Sequence, residues 1–346
     1  MIGRDRSFVR SAFAAALSVA VLLAMVAALG YSPASAARGL LTAVFGGANR
    51  IAAVLLVACP LLLTGLAVCA AFRCGVWNIG AEGQYLVGAL AAAAVGALAD
   101  SWPVWIAIPA VLAAAVIAGA VWAWIAAWLK LTRGVQEVLS TILLNFIALQ
   151  IVNIAVRGPL TDPSSLSRDT TAEIARASRL PLLTAEGGLH VGILFAVLAA
   201  VALWFFLAHT VAGLRIRIAG ANPIAARRAG LRVTRYVAAS FLISGALAGL
   251  AGGVELSGNS HYLTAGYGAG YGYTAIAIAL LARLSPLGVI PAALFFAALD
   301  VGVRGLQFVE APGFESIPTA LTYVAQGTVV LAVALLARPP KAVEQP

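Results

Sequence analysis

Charge is what this sequence has least of. Only 10% of its 346 residues are Asp, Glu, Lys or Arg, against 62% hydrophobic, and the mean hydropathy is +0.99. A soluble domain needs about a quarter of its residues charged to face water. A water-soluble globule is therefore excluded, and lipid must be the solvent for most of the surface. Lysine is scarcer still: there are two, Lys130 and Lys341, and neither follows a glycine. A phosphate-binding loop of the Gly-x-x-x-x-Gly-Lys-Ser/Thr kind cannot be built without that pair, so ATP chemistry on this chain is excluded. The three cysteines, Cys59, Cys69 and Cys74, lie ten and five positions apart and match no zinc or redox spacing. They read as small packing residues of one apolar segment. His190, His209 and His261 fall in separate segments, as boundary residues rather than a ligand set, and the sequence has neither His-Glu-x-x-His nor Gly-x-Ser-x-Gly. No catalytic residue, no metal site and no cofactor bound by this chain is expected.

What the sequence does have is long apolar runs. A helix crosses the ~30 Å hydrocarbon core with about 20 apolar residues. Alternation with period two, the mark of a membrane barrel, is missing from these runs. They fall at 11–30, 51–72, 79–99, 104–129, 138–156, 189–209, 236–256, 271–282, 286–303 and 317–337. The expected fold is an all-α polytopic membrane protein with about ten transmembrane helices, forming a single domain over 1–346. Ala34-Ser35-Ala36 after the first run has the form of a signal-peptidase site. That run is longer than the 7–15 residues of a signal core, so a retained first helix is expected. Ten crossings place both termini on one side. One face collects Arg4, Arg6, Arg10, Arg73, Lys130, Arg133, Arg215, Arg217, Arg227, Arg228, Arg232, Arg235, Arg283, Arg338 and Lys341. The other has Arg38, Arg50, Arg157, Arg168, Arg176, Arg179 and Arg304, so the 22 basic residues divide fifteen to seven. The richer face should be cytoplasmic, with both termini there. The net charge of +9 thus follows membrane boundaries and points to no nucleic-acid partner.

Two stretches break the helical pattern, near 73–84 and 257–272. The second carries Gly258, Gly266, Gly268, Gly270 and Gly272. Paired Gly-interrupted segments in a transporter often mark a substrate path; a re-entrant turn or an ordinary loop fits equally well. In the first stretch, Asn78, Glu82 and Gln84 put a carboxylate and two amides at membrane depth, which requires a cavity or mutual pairing. Lining a pore and pairing inside the bundle both fit Glu82. Glu137, Thr141 and Asn145 share one helical face, with Asn145 deepest. The loop 157–188 is long and external. The loop 213–235 is the most basic, and within it Asn222-Pro223-Ile224-Ala225-Ala226-Arg227-Arg228-Ala229-Gly230 encodes a short helix. Asn is a good N-cap, Pro suits the first helical position and Gly the stop. At about two turns it is too short to be stable alone. It either lies on anionic headgroups or docks as a peg into a soluble partner. Gly245-Ala246-Leu247-Ala248-Gly249 is a close-packing helix face.

With these residues the sequence resembles the permease subunits of bacterial ABC importers for ribose-type sugars, branched-chain amino acids and nucleosides. Gly75-Val76-Trp77 followed by 78–84 is similar to their signature. Four further stretches also match: 137–145, Arg157-Gly158-Pro159-Leu160, 220–230, and 243–252. The likeness runs from about 31 to 337, with spacing kept, and is nearest to nucleoside-type permeases that work with a basic-membrane-protein-like binding lipoprotein. The resemblance implies that 222–230 is the helix coupling the pore to a cytoplasmic ABC ATPase, with Gly220, Asn222, Pro223, Ala225, Ala226, Arg227 and Gly230 as its determinants. It implies that ATP and Mg sit on that ATPase, and that a second permease, usually a different chain, completes the pore. An extracytoplasmic binding lipoprotein would dock outside, and the location would be the bacterial inner or plasma membrane. Many nucleoside-type relatives carry Gly-Phe-Asp-Gly where this chain has Gly272-Tyr273-Thr274-Ala275, which places Thr274 in the supposed pathway and leaves the substrate open. The expected function is a nucleoside permease of an ABC importer. The alternatives are a simple-sugar importer of the same build and, more remotely, an ion-coupled secondary transporter or an intramembrane enzyme.

Overall fold

A computed structural model describes residues 2–28, 30–164, 169–184, 187–268 and 270–306, with 323–324, 327–328 and 331. The helices are α1 Ile2–Ala28, α2 Pro33–Phe45, α3 Ala48–Arg73, α4 Ala81–Ala97, α5 Val104–Arg133, α6 Glu137–Arg157, α7 Gly192–His209, α8 Val211–Ala221, α9 Pro223–Arg228, α10 Val233–Glu255, α11 Tyr271–Leu281 and α12 Pro286–Leu306. From α3 onward the helices follow the apolar runs to within a few residues, because run length alone dictates where a chain in lipid must satisfy its own backbone. Almost all of the expected run 317–337 lies outside the described residues.

Among the described residues six helices (α3, α5, α6, α7, α10 and α12) are long and apolar enough to cross a membrane. Of the four expected runs not among them, 317–337 lies almost wholly outside the described residues, the first is counted only over Ala12–Ala28, and the other two are interrupted helices. The α4 helix has 17 residues and follows the break at 74–80, and α11 has 11 residues and follows the break at 256–270. Two helices were not anticipated. The α2 helix is capped by Ser32, whose hydroxyl accepts from Ser35 N, with Pro33 at the first position. It contains Ala34-Ser35-Ala36 and packs on α12, with Ala36 buried. The α8 helix extends the basic loop.

The α10 helix sits at the centre, against α5, α4 and α3. Its small residues let backbones touch, as packing within lipid requires. A Cβ at Gly249 would lie 2.2 Å from the Ala115 carbonyl oxygen on α5, and one at Gly88 on α4 would lie 2.5 Å from Gly249. Gly249→Val should therefore destabilise the protein by about 1–3 kcal/mol through overpacking. A lower Tm of the detergent-solubilised protein is the expected reading; an unchanged Tm would mean that the three helices have room to part.

The two ends of the bundle separate the loops as the basic residues do. At one end Arg73 Nε donates to Leu284 O, and Gly75 meets the backbone of Gly220. At the other, Arg38 and Arg50 line one cleft with Gly305, and Gly187 in the long loop abuts Ala52. On α5, Trp105 and Trp128 are exposed. They stand about 34 Å apart along the helix, the spacing of aromatic belts on either side of a ~30 Å core. The cysteines are buried in α3 and at its end, as packing residues.

Candidate functional site

The two breaks meet inside the bundle. After α3 the chain turns at Gly75 (φ +73°) and Asn78 is fully buried. Its side chain forms a reciprocal amide pair with Gln84: Asn78 Nδ2 donates to Gln84 Oε1 and Gln84 Nε2 to Asn78 Oδ1, both at 3.1 Å. Asn78 Nδ2 also reaches Ser244 Oγ on α10 at 2.9 Å, and Asn78 Oδ1 accepts from Gly80 N. From α6, Thr141 Oγ1 accepts from Ile79 N, and Asn145 accepts from Gly83 N at 2.8 Å while donating to Ile79 O at 2.9 Å. The irregular start of α4 therefore has side-chain partners from its own chain and from α6. This is how buried backbone is tolerated away from water.

The second break begins with a π-helical turn, Leu256–Ser260, and a left-handed residue, His261 (φ +61°). The long loop 157–188 is laced to this turn. Thr171 N donates to Leu263 O, Ile174 N to His261 O and Leu180 N to Ser257 O, at 2.8–2.9 Å. His190, in the same joint, is fully buried with Nδ1 accepting from Gly192 N. Burial and nearby His261 push its pKa down to about 4, so at neutral pH the ring is uncharged and free to accept that bond. The chain then descends along α6, where Gly266 N donates to Asn153 Oδ1 at 2.7 Å. Tyr267 comes next, with its ring parallel to that of Tyr85 on α4 and the two hydroxyls 3.0 Å apart.

At Gly270 the backbone is left-handed (φ +70°) and α11 begins. Its amides point at Glu82: Gly272 N donates to Oε2 at 2.7 Å and Gly270 N to Oε1 at 3.2 Å. A carboxyl group there satisfies orphan amides and suits the positive end of the helix. Gly272 has to be glycine, because a Cβ would sit 2.2 Å from Glu82 N. The junction is deep. Asn145 lies roughly 12 Å along α6 from Glu137, and Thr64, whose Oγ1 meets Tyr271 O, lies about 14 Å along α3 from Arg73. The stretch 257–270 thus runs without regular helix into the bundle, α11 carries the chain on to the end where Leu284 O meets Arg73, and Glu82 is paired within the bundle.

Other expected site residues are placed differently. Glu137 does not join the junction but forms an ion pair with Lys130 at the arginine-rich end. Thr274 is half-buried in the first turn of α11, its N–H bonded to Gly270 O. Asn222 caps α9, with Oδ1 accepting from Ile224 N and Ala225 N at 3.1 and 2.9 Å. Gly230 (φ +78°) ends it, and Leu231 N closes back on Ala226 O. Ala225 and Arg227 are exposed, but Ala226 faces the protein itself and is buried. Gly220 packs against the backbone of Arg73 and Cys74. Sequence reasoning passed over Ser244, Asn153 and the tyrosines 85, 267, 271 and 273. The last three stand among glycines, a local signal that was there to read; Ser244 gave none.

A family model described as the permease component of the branched-chain amino acid transport system matches residues 50–334. The guanosine ABC transporter permease protein P of Bacillus subtilis is 36% identical over 324 residues, 92% of this chain and 90% of that protein. A second guanosine permease of the same organism is 30% identical over 290 residues, 80% of this chain and 87% of that protein. A glucose ABC transporter permease of Haloferax volcanii is 38% identical over 302 residues, 84% of this chain and 76% of its own length.

Proposed function

The chain belongs to this family of transport permeases and is an ABC transporter permease subunit, a multi-pass protein of the plasma membrane, and from that premise we propose that it forms half of the pathway of a nucleoside importer. The observation that carries the pathway reading is the exposed, non-helical backbone at Gly268, which lies by the Glu82 carboxyl group at the level of the junction. Lipid cannot hydrogen-bond such groups; non-helical backbone at this depth belongs against protein or in a water-filled cavity. This face, with Asn145, Tyr273 and Thr274 at its deep end, is the wall that a second permease closes. The second permease is a different chain, a reading supported by the two distinct guanosine permeases of one organism that resemble this sequence.

ATP and Mg are bound and used by a cytoplasmic ABC ATPase on which α9 docks through Ile224, Ala225 and Arg227. An extracytoplasmic binding lipoprotein delivers the cargo to the 157–188 loop. Ten crossings with both termini cytoplasmic accord with the division of basic residues and loops between the two ends. A fluorescent protein fused to the C-terminus should then fold and emit; a dark fusion with an active phosphatase counterpart would reverse the orientation.

A simple-sugar importer is the second reading, supported by the glucose permease relative. Uptake of labelled guanosine and glucose, in cells with and without the gene and before and after ATP depletion, decides between them. Loss of ATP-dependent guanosine uptake with the gene is the expected result. Loss of glucose uptake alone would move the cargo to sugars.

A further inference from the structure

The cargo assigned above is a nucleoside, and on that reading the α4–α11 junction offers its base a stacking surface. Tyr271, Tyr85 and Tyr267 are packed against one another, the first pair edge to face at 5.8 Å and the second parallel at 6.1 Å. Tyr273 differs: it is 46% exposed although its neighbours Gly272 and Ala275 are buried. Its backbone N–H donates to Gly270 O in the first turn of α11, next to Gly272, whose own N–H is held by Glu82. The backbone that carries the ring is therefore fixed while much of the ring's surface stays open. Tyrosines that face lipid gather at the membrane–water interfaces, whereas this one stands next to Gly272, at the depth of Glu82 and of Asn145, which holds Gly83 N.

We propose that Tyr273 is a specificity-determining residue of the pathway, stacking on the heteroaromatic ring of a nucleoside as it passes the junction of α4 and α11. A half-open aromatic ring fits a planar partner, and stacking accepts purines and pyrimidines alike because every base has a π-face.

The test uses the complete transporter in proteoliposomes, with ATPase, both permeases and binding protein, and measures guanosine moved per ATP hydrolysed. Tyr273→Leu should lower this ratio about tenfold, the scale of one lost base–aromatic stack, while the ATPase still co-purifies. Tyr273→Phe, which keeps the ring and loses only the hydroxyl, should restore the ratio to within about threefold. An unchanged ratio in Tyr273→Leu overturns the stacking role, as does loss of subunit co-purification, which would make the ring an interface element. If the unaltered transporter moves glucose and not guanosine, the nucleoside assignment itself fails and the stacking role falls with it.

Discussion

Glu82→Ala is expected to abolish transport, with uptake falling more than tenfold, and to lower stability by about 3 kcal/mol. The carboxyl group accepts from Gly270 N and Gly272 N and is 4% exposed. An intramolecular hydrogen bond contributes about 0.5–1.5 kcal/mol, and a buried donor left without a partner costs about 1–3 kcal/mol. Alanine orphans both amides at a depth where replacement water is scarce. The start of α11 would then lose the contact that fixes its direction, and Tyr273 would swing with it. Glu82→Gln should fall between alanine and wild type, because its oxygen can accept one amide while its own N–H₂ faces the other. Tm in detergent and uptake in cells provide the two readings. If alanine left both at wild-type values, the carboxyl group would have no structural role at this junction.

Ala225→Trp should reduce uptake more than tenfold while leaving Tm within a degree or two. The side chain at 225 projects from α9 into solvent, so an indole there meets nothing in this chain. It would, however, fill any groove into which a two-turn helix fits. Reduced co-purification of the ATPase is the second expected sign. Ala226→Trp should behave differently, because Ala226 is buried and its carbonyl accepts from Leu231 N. That variant should unfold the loop and lower Tm. Equal behaviour of the two variants, or unaltered uptake in Ala225→Trp, would remove α9 as the docking element.

The contrast between 225 and 226 marks where the sequence stopped being legible. Asn222, Pro223 and Gly230 announce a capped helix, since caps are chemistry between residues a few positions apart. Which alanine faces inward depends on how the loop folds over the ends of α3 and α10, and no local pattern encodes that. The α2 helix was overlooked because 13 residues bearing Arg38 do not make an apolar run, although Ser32 and Pro33 mark its start. Glu137 was grouped with Thr141 and Asn145 by helical spacing, which holds. Its carboxylate nevertheless turned to Lys130 at the bundle end, where a cation was within reach.

By itself the sequence determined the solvent of this protein, the places where helices form and the division of basic loops between two faces. These depend on composition and on contacts within one or two turns, which neighbouring residues settle among themselves. Only the tertiary structure decided that 257–270 runs without regular helix into the bundle and that Glu82 holds the start of α11. Its partners Gly270 and Gly272 lie 188 and 190 residues away along the chain. Carboxylates, glycines and tyrosines carry no mark of which distant backbone they will meet, and that is set by how α3, α4, α6 and α10 pack.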